Sequence, residues 1–123
     1  MRNHLRALVA DDHAEVLMAV ADVVQDFGGF EVVSLTTTVE EAVRSAAWRR
    51  PDVAFIDGWL AGGGAVEAAK RIARVSPDTV VVGLASAWDL ELALRLRSVG
   101  AQCYEKEALS GVLPGILDAA ARR

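Results

Sequence analysis

Short apolar segments alternate with longer amphipathic segments five times along the chain. The apolar segments predict β-strands at residues 5–10, 30–35, 53–56, 80–84 and 102–105. Residues 53–56 read Val-Ala-Phe-Ile without polar alternation, which is expected of a strand buried on both faces. Regular alternation of strands and helices indicates βα units, and therefore a parallel sheet with helices on both faces.

The amphipathic segments predict five helices. Gly28 and Gly29 end the first helix, and Glu41 lies three residues after Thr38, a capping-box pattern at the start of the second. Pro114 lies either in the first turn of the last helix or at a kink within it. The predicted helices cover residues 14–27 and 39–48, a segment from the Gly62-Gly63-Gly64 loop to Val75, residues 89–99, and residues 108 to the C-terminus.

Length and composition narrow the class of protein. A chain of 123 residues suffices for one domain. It carries 13 Lys and Arg against 17 Asp and Glu, a formal net charge of −4, so we do not expect direct binding to nucleic acid. The single Cys103 lies in an apolar segment and is interpreted as a small buried hydrophobe. Without a secretory segment or about 20 consecutive apolar residues, we expect a cytoplasmic protein that does not associate with membranes.

Three acidic residues follow predicted strands. Asp11 and Asp12 come directly after the first strand, and Asp57 follows the third. The carboxyl ends of parallel strands meet at one edge of the sheet, where ligands bind in open α/β folds. Two like charges about 4 Å apart repel by roughly 4 kcal/mol at an effective dielectric of about 20, so we expect a cation among these carboxylates. Lys106, after the last predicted strand, completes a pocket of three acids and one base.

Two of these acids also have structural interpretations. Asp12 and Glu15 have the spacing of an Asp-x-x-Glu capping box at the start of the first helix. Asp57-Gly58 is also a common turn sequence at the end of a strand.

The chain resembles the receiver domain of bacterial two-component response regulators over essentially its whole length. Three motifs carry the resemblance: Ala10-Asp11-Asp12-His13, Ile56-Asp57-Gly58-Trp59-Leu60 and Gly100-Ala101-Gln102-Cys103-Tyr104-Glu105-Lys106. The Asp-Asp-His opening, with Glu15 after it, is most similar to receivers that precede a helix-turn-helix output domain. We expect residues 1–123 to form one receiver domain with no output domain. The resemblance implies a flavodoxin-like fold, with five parallel strands in the order 2-1-3-4-5 and five helices on both faces.

The resemblance also implies a chemistry. Asp57 would accept a phosphoryl group from a phosphohistidine of a sensor histidine kinase or phosphotransfer protein in a Mg²⁺-dependent reaction. Asp12 and Asp57 would bind Mg²⁺ directly, the backbone carbonyl of Trp59 would supply a third oxygen, and Asp11 would act through water. Lys106 would pair with a phosphoryl oxygen. His13 is interpreted as a loop or helix-start residue and not as a ligand, because Mg²⁺ favours oxygen over imidazole.

Two positions depart from the family pattern. Receivers carry Thr or Ser at the end of the fourth strand, where the hydroxyl bonds the phosphoryl group. Here that position falls on Ala85, with Ser86 next to it. Either Ser86 supplies the hydroxyl group, or the chain lacks this hydroxyl group. Lys106 lies six residues after Gly100, where the family usually has seven, and Glu107 replaces the usual Pro.

Three functions are compatible with these residues. We expect a phosphoacceptor that catalyses only its own phosphorylation and dephosphorylation, and that then contacts a downstream protein through helix 4, strand 5 and helix 5, as a monomer or weak homodimer. The second is a degenerate receiver that binds partners without phosphorylation. The third is a small phosphatase-type enzyme, which usually has a second acid two residues after the nucleophile, where this chain has Trp59.

Overall fold

The fold is a five-stranded parallel sheet with helices on both faces, in a computed structural model that describes residues 4–122. The strand order is β2-β1-β3-β4-β5, as predicted. None of the helices in this part of the chain is long and apolar enough to cross a membrane. The strands are β1 (Leu5–Ala10), β2 (Phe30–Thr36), β3 (Val53–Asp57), β4 (Val80–Ala85) and β5 (Gln102–Glu105); the helices are α1 (Ala14–Phe27), α2 (Val39–Arg49), α3 (Gly64–Val75), α4 (Leu90–Ser98) and α5 (Leu109–Ala121).

Alternate residues of the central strands pack into two separate cores. In β3, Ala54 and Ile56 pack with α2, α3 and α4, whereas Val53 and Phe55 pack with α1 and α5. All five residues of β3 are buried, because helices cover both faces of the sheet. Cys103 on β5 is only partly buried, and this burial, with the nearby Asp89 charge, raises the pKa of its thiol.

The first helix begins differently from the expectation. The predicted Asp12–Glu15 capping box is wrong: His13 is the residue before α1, and within the described chain no side chain caps this helix. The carboxylate of Asp11 accepts the backbone N–H of His13 at 2.9 Å, which turns the chain between β1 and α1. Asp11 therefore stabilises the turn before α1, and neither acid caps this helix.

The second helix begins largely as predicted. The Thr38 hydroxyl oxygen accepts the N–H of Glu41 at 3.1 Å. The Glu41 carboxylate accepts the N–H of Thr37 at 2.8 Å, whereas a standard box would use the N–H of Thr38.

A 3₁₀ turn over residues Lys106–Ala108 links β5 to α5. Pro114 lies inside α5, in its second turn, so the first-turn placement is wrong. Gly111 and Gly115 flank it, and a Cβ at either glycine would meet no atom within 4 Å. The helix is held to the sheet by buried apolar residues that include Leu109, Leu113 and Ile116.

Helix α4 approaches the sheet closely at two glycines. A Cβ at Gly58 would lie 2.6 Å from Cδ2 of Leu92, and a Cβ at Gly83 would collide with Cδ1 of Leu96. A side chain at either position would displace one of these leucines, so the two glycines allow α4 to pack near the carboxyl ends of β3 and β4.

Candidate functional site

Asp11, Asp57 and Lys106 meet at the carboxyl edge of the sheet. Asp11 directly follows β1, and its N–H donates to the carbonyl oxygen of Thr36 at 3.0 Å. Asp57 is the last residue of β3 and pairs with Leu84 of β4. Asp11 is 2% exposed and Asp57 is 7% exposed, so both carboxylates are largely removed from water. Buried carboxylates need a compensating charge or hydrogen bonds.

Lys106 supplies this charge. Its Nζ atom lies 2.7 Å from Oδ1 of Asp57 and 3.0 Å from Oδ2 of Asp11. Burial alone would lower the pKa of Lys106, but its hydrogen bonds and charge interactions with Asp57 and Asp11 outweigh that effect and raise the pKa. Lys106 makes this contact although it lies only six residues after Gly100, one fewer than is usual in the family. The chain enters the 3₁₀ turn directly at Lys106.

Asp12 and His13 lie at the more exposed side of the site. The Nδ1 atom of His13 is 3.4 Å from Oδ1 of Asp11 and 3.4 Å from Oδ1 of Asp12. Among residues 4–122, this is the group of three side chains whose ligand atoms all lie within 4.8 Å of one another. Asp57 is not in that group, and its carboxylate is instead paired with Lys106. His13 is the residue before α1, as interpreted from the sequence, but its contact with both acids was not predicted; the signal was three consecutive metal-ligating side chain types after β1.

The loop after Asp57 is fixed by backbone hydrogen bonds. The N–H of Gly58 donates to the carbonyl oxygen of Leu84 at 2.7 Å, and the N–H of Leu60 donates to that of Asp57 at 3.1 Å. A Cβ at Gly64, whose φ is +79°, would lie 2.9 Å from the Gly58 carbonyl oxygen, so this glycine lets α3 begin against the loop. Trp59 is therefore held next to the Asp57 backbone with a 63% exposed side chain.

Ala85 and Ser86 follow one another at the end of β4. Ala85 is the last strand residue, is 2% exposed and belongs to the core that contains Leu92 and Leu96. Ser86 is exposed in the following loop. Either residue lies within one or two positions of Leu84, which pairs with Asp57, so the choice between them stays open.

Tyr104 lies on β5 beside this region. It pairs with Leu84, and its hydroxyl donates to the side-chain oxygen of Gln102 at 3.0 Å. The ring packs against the core shared by α1 and α5. The aromatic ring is thus partly buried.

The chain is similar to one family of known proteins. The sequence model described as "Response regulator receiver domain" matches residues 7–106. Response regulator GacA of Pseudomonas viridiflava is 32% identical over 100 residues, which cover 81% of this chain and 47% of that protein. Response regulator UvrY of Escherichia coli K12 is 28% identical over 100 residues, which cover 81% of this chain and 46% of that protein. The chain spans about half the length of these curated relatives.

Solved structures support the fold. The signal receiver domain of a Mycobacterium tuberculosis protein described as the response regulator NarL superposes with a TM-score of 0.89 at 21% identity, covering 99% of this chain and 100% of that one. A LuxR-family two-component response regulator from Aurantimonas sp. SI85-9A1 superposes with a TM-score of 0.85 at 23% identity. The superposition covers 94% of this chain and 86% of that one. At these identities the likeness concerns the fold alone.

Proposed function

The chain belongs to the family of response regulator receiver domains, and we propose that it accepts a phosphoryl group on the carboxylate of Asp57. The observation that carries this proposal is the position of Lys106, whose Nζ contacts both Asp57 and Asp11 across three strand ends. A carboxylate nucleophile in phosphoryl transfer requires a nearby cation to balance the charge on the transferring group.

The reaction we propose is an in-line displacement. An oxygen of Asp57 attacks the phosphorus of a phosphohistidine on a sensor kinase or phosphotransfer protein. The bond between phosphorus and the imidazole nitrogen breaks, its electron pair stays on that nitrogen, and an aspartyl phosphate forms. Lys106 then exchanges part of its contact with the Asp57 carboxylate for a contact with a phosphoryl oxygen.

The donor atoms at this edge fit a divalent cation. Carboxylate and backbone carbonyl oxygens are the ligands that Mg²⁺ prefers, and two or three from the protein suffice, because this ion keeps several waters. We propose that Asp12, Asp57 and the carbonyl oxygen of Trp59 hold it, with Asp11 acting through water. When bound, the ion neutralises charge on the phosphoryl oxygens. Asp11 also positions Lys106 through its Oδ2 atom.

Phosphorylation of Asp57 should act on the α4 side of the domain. We propose that the phosphoryl group changes the contacts of the loop after β4, and that α4, β5 and α5 present the altered surface to a downstream protein. The close packing of α4 on Gly58 and Gly83 supports this route, because movement at the ends of β3 and β4 reaches α4 directly.

Intact mass before and after treatment with acetyl phosphate and Mg²⁺ tests the assignment. The wild type should gain one phosphoryl group, Asp57→Asn should gain none, and Asp78→Asn, which changes an exposed aspartate outside the site, should react as the wild type does. A wild type that stays unmodified would favour the degenerate receiver. Labelling that survives in Asp57→Asn would place the acceptor at another residue.

A further inference from the structure

Three arginines and a tryptophan lie close together at the carboxyl end of α2. Arg44, Trp48, Arg49 and Arg50 fall within residues 44–50, a segment that contains no acid. All four are exposed, and Trp48, at 83%, is more exposed than any other large hydrophobic side chain in the described part of the chain. A single exposed apolar side chain is ordinary, but Trp and Arg together are the residues that most often dominate protein interfaces.

Helix α3 adds a fourth arginine to this region. Arg71 of α3 reaches across to α2, where its Nη2 atom lies 2.9 Å from Oε2 of Glu40. Arg74 is exposed one turn further along the same side of α3. On α2, Arg44 and Trp48 follow Glu40 at successive four-residue steps, so they continue the side of α2 that lies next to α3. The α2–α3 surface consists of Arg44, Trp48, Arg49, Arg50 and Arg74.

The fold makes little use of these four guanidinium groups. Arg44 lies 3.8 Å from Glu40, in a pair between two exposed side chains. Among residues 4–122, the side chains of the other three arginines of this surface have no hydrogen bond or ion pair. The carbonyl oxygens of Arg49 and Arg50, at the end of α2, already accept hydrogen bonds from Nη1 of Arg6. The charges of the α2–α3 surface are therefore available to a partner.

Arg50 occupies a backbone position that favours glycine. Its φ of +46° and ψ of +63° lie in the left-handed region, and within the described residues only glycines share a positive φ with it. Helices commonly end on a glycine in this conformation, because a Cβ is disfavoured there. The helix end does not need the Arg50 side chain, since Arg6 binds the carbonyl oxygens. An arginine at a strained position whose side chain the fold does not use points to a use outside the fold.

The composition of this surface points to one kind of partner. A symmetric pair of copies would place arginine against arginine. Proteins that bind single-stranded nucleic acid stack successive bases on several aromatic side chains, whereas this surface offers one indole. We propose that the α2–α3 surface binds an acidic surface of another protein, whose carboxylates pair with the arginines around an apolar site for the Trp48 indole. This contact is additional to the proposed output through α4, because α2 packs against β1, β2 and α3.

The test is an NMR titration of the unphosphorylated chain with two acidic polypeptides. A copolymer of glutamate and tyrosine offers carboxylates and apolar rings, whereas poly-L-glutamate offers carboxylates without aromatic rings. Both should shift the indole N–H signal of Trp48, which is assigned by its disappearance in Trp48→Ala. The copolymer should bind about tenfold more tightly than poly-L-glutamate, because a buried Trp contact contributes strongly to an interface. Trp48→Ala should remove this difference.

Arg50→Gly separates binding from folding. It should keep or raise the melting temperature, because glycine suits the left-handed position. It should weaken the binding of both polypeptides about two- to fivefold, through the loss of one exposed charge pair. Arg74→Gln should weaken binding to a similar extent. The matched controls are Arg97→Gln and Trp88→Ala, which change exposed side chains of α4 and of the loop before it and should leave binding unchanged.

Equal losses in Arg97→Gln and Arg50→Gly would overturn the inference, because they would show that acidic polymers bind wherever the chain is positive. An unshifted Trp48 signal, or equal affinities of the wild type for the two polypeptides, would overturn it as well. Oligo(dT) is the third probe. If it bound more tightly than the copolymer and required Trp48, the surface would be a nucleic-acid site and the inference would be wrong. These readouts do not depend on whether Asp57 accepts a phosphoryl group.

Discussion

Oδ1 of Asp57 and Nζ of Lys106 lie 2.7 Å apart, so the candidate phosphoacceptor is already paired with a cation in a pocket where both side chains are largely buried. Asp11 shares the same cation at 3.0 Å. Two carboxylates therefore depend on one ammonium group, and substitution of Lys106 affects both of them.

Lys106→Met should destabilise the protein by about 1–3 kcal/mol at pH 7, because it leaves two buried carboxylates without their shared hydrogen-bond donor. Urea unfolding measures the free energy. Lys70→Met is the control, since Lys70 is the other lysine of the chain and is exposed on α3. Equal stability of Lys106→Met and the wild type would show that water or a bound cation already screens the two acids.

The stabilising effect of Lys106 should be lost at alkaline pH. The pKa of Lys106 is raised above its ordinary value of 10.5, so the folded state holds the proton more tightly than the unfolded state does. The contribution is fully present below the unfolded pKa and declines as the pH rises through the higher folded pKa. Urea unfolding between pH 9 and 12 should show the stability difference between the wild type and Lys106→Met narrowing only above about pH 10.5. A difference that narrows between pH 7 and 9 would contradict this assignment.

Mg²⁺ should raise the melting temperature, because an ion that binds only the folded state stabilises it by mass action. A differential scanning calorimetry series at millimolar MgCl₂ measures the rise. Asp12→Ala should lose most of it, whereas Asp78→Ala, in an exposed turn, should retain it. An equal rise in Asp12→Ala would place the ion elsewhere.

Ala85→Ser should enlarge the response to phosphorylation if Ala85 occupies the hydroxyl position. A hydrogen bond to a charged group is worth roughly 1.5–3 kcal/mol, which changes a two-state ratio by about tenfold to a hundredfold. NMR shift changes in α4 and around Tyr104, recorded with and without beryllofluoride, report the response. Ser is chosen because Ala85 is packed against the α4 core and a larger residue would strain it.

Ser86→Ala is the companion variant. It should leave the shift changes unaltered. A large wild-type response that Ser86→Ala abolishes would assign the hydroxyl role to Ser86.

Gly83→Ala should destabilise the fold by about 1–3 kcal/mol, because its methyl group would collide with Leu96 in the core. Gly111→Ala is the matched substitution: a Cβ there meets no atom within 4 Å. It should stabilise the protein by about 0.5–1 kcal/mol, because glycine is unfavourable inside a helix. Thermal unfolding of the two variants measures both effects, and a loss of stability in both would mean that the Gly111 face of α5 is covered.

The sheet and the position of its acids follow from the sequence because both depend on strand ends. Asp11 and Asp57 come directly after apolar segments, and parallel strands place such residues at one edge. Two details of the site do not follow from the spacing of residues in the sequence. Helix α1 begins after His13, one residue later than the Asp12–Glu15 spacing requires, so the alternative capping role of Asp12 does not arise. The reach of Lys106 depends on the 3₁₀ turn that begins at that residue, which neither the composition nor the periodicity of β5 indicates.

Helix α5 contains Gly111, Pro114 and Gly115 within its first two turns. Compared with alanine, two glycines and a proline cost an isolated helix roughly 5 kcal/mol, so this segment has little tendency to remain helical alone. It is kept in place by the apolar residues that it buries against β1 and α1. We therefore expect amide hydrogens of α5 to exchange with solvent through partial opening, well before those of β1 and β3. Such an opening would uncover the α1 side of the sheet while the opposite core, built on α2 and α3, stays intact.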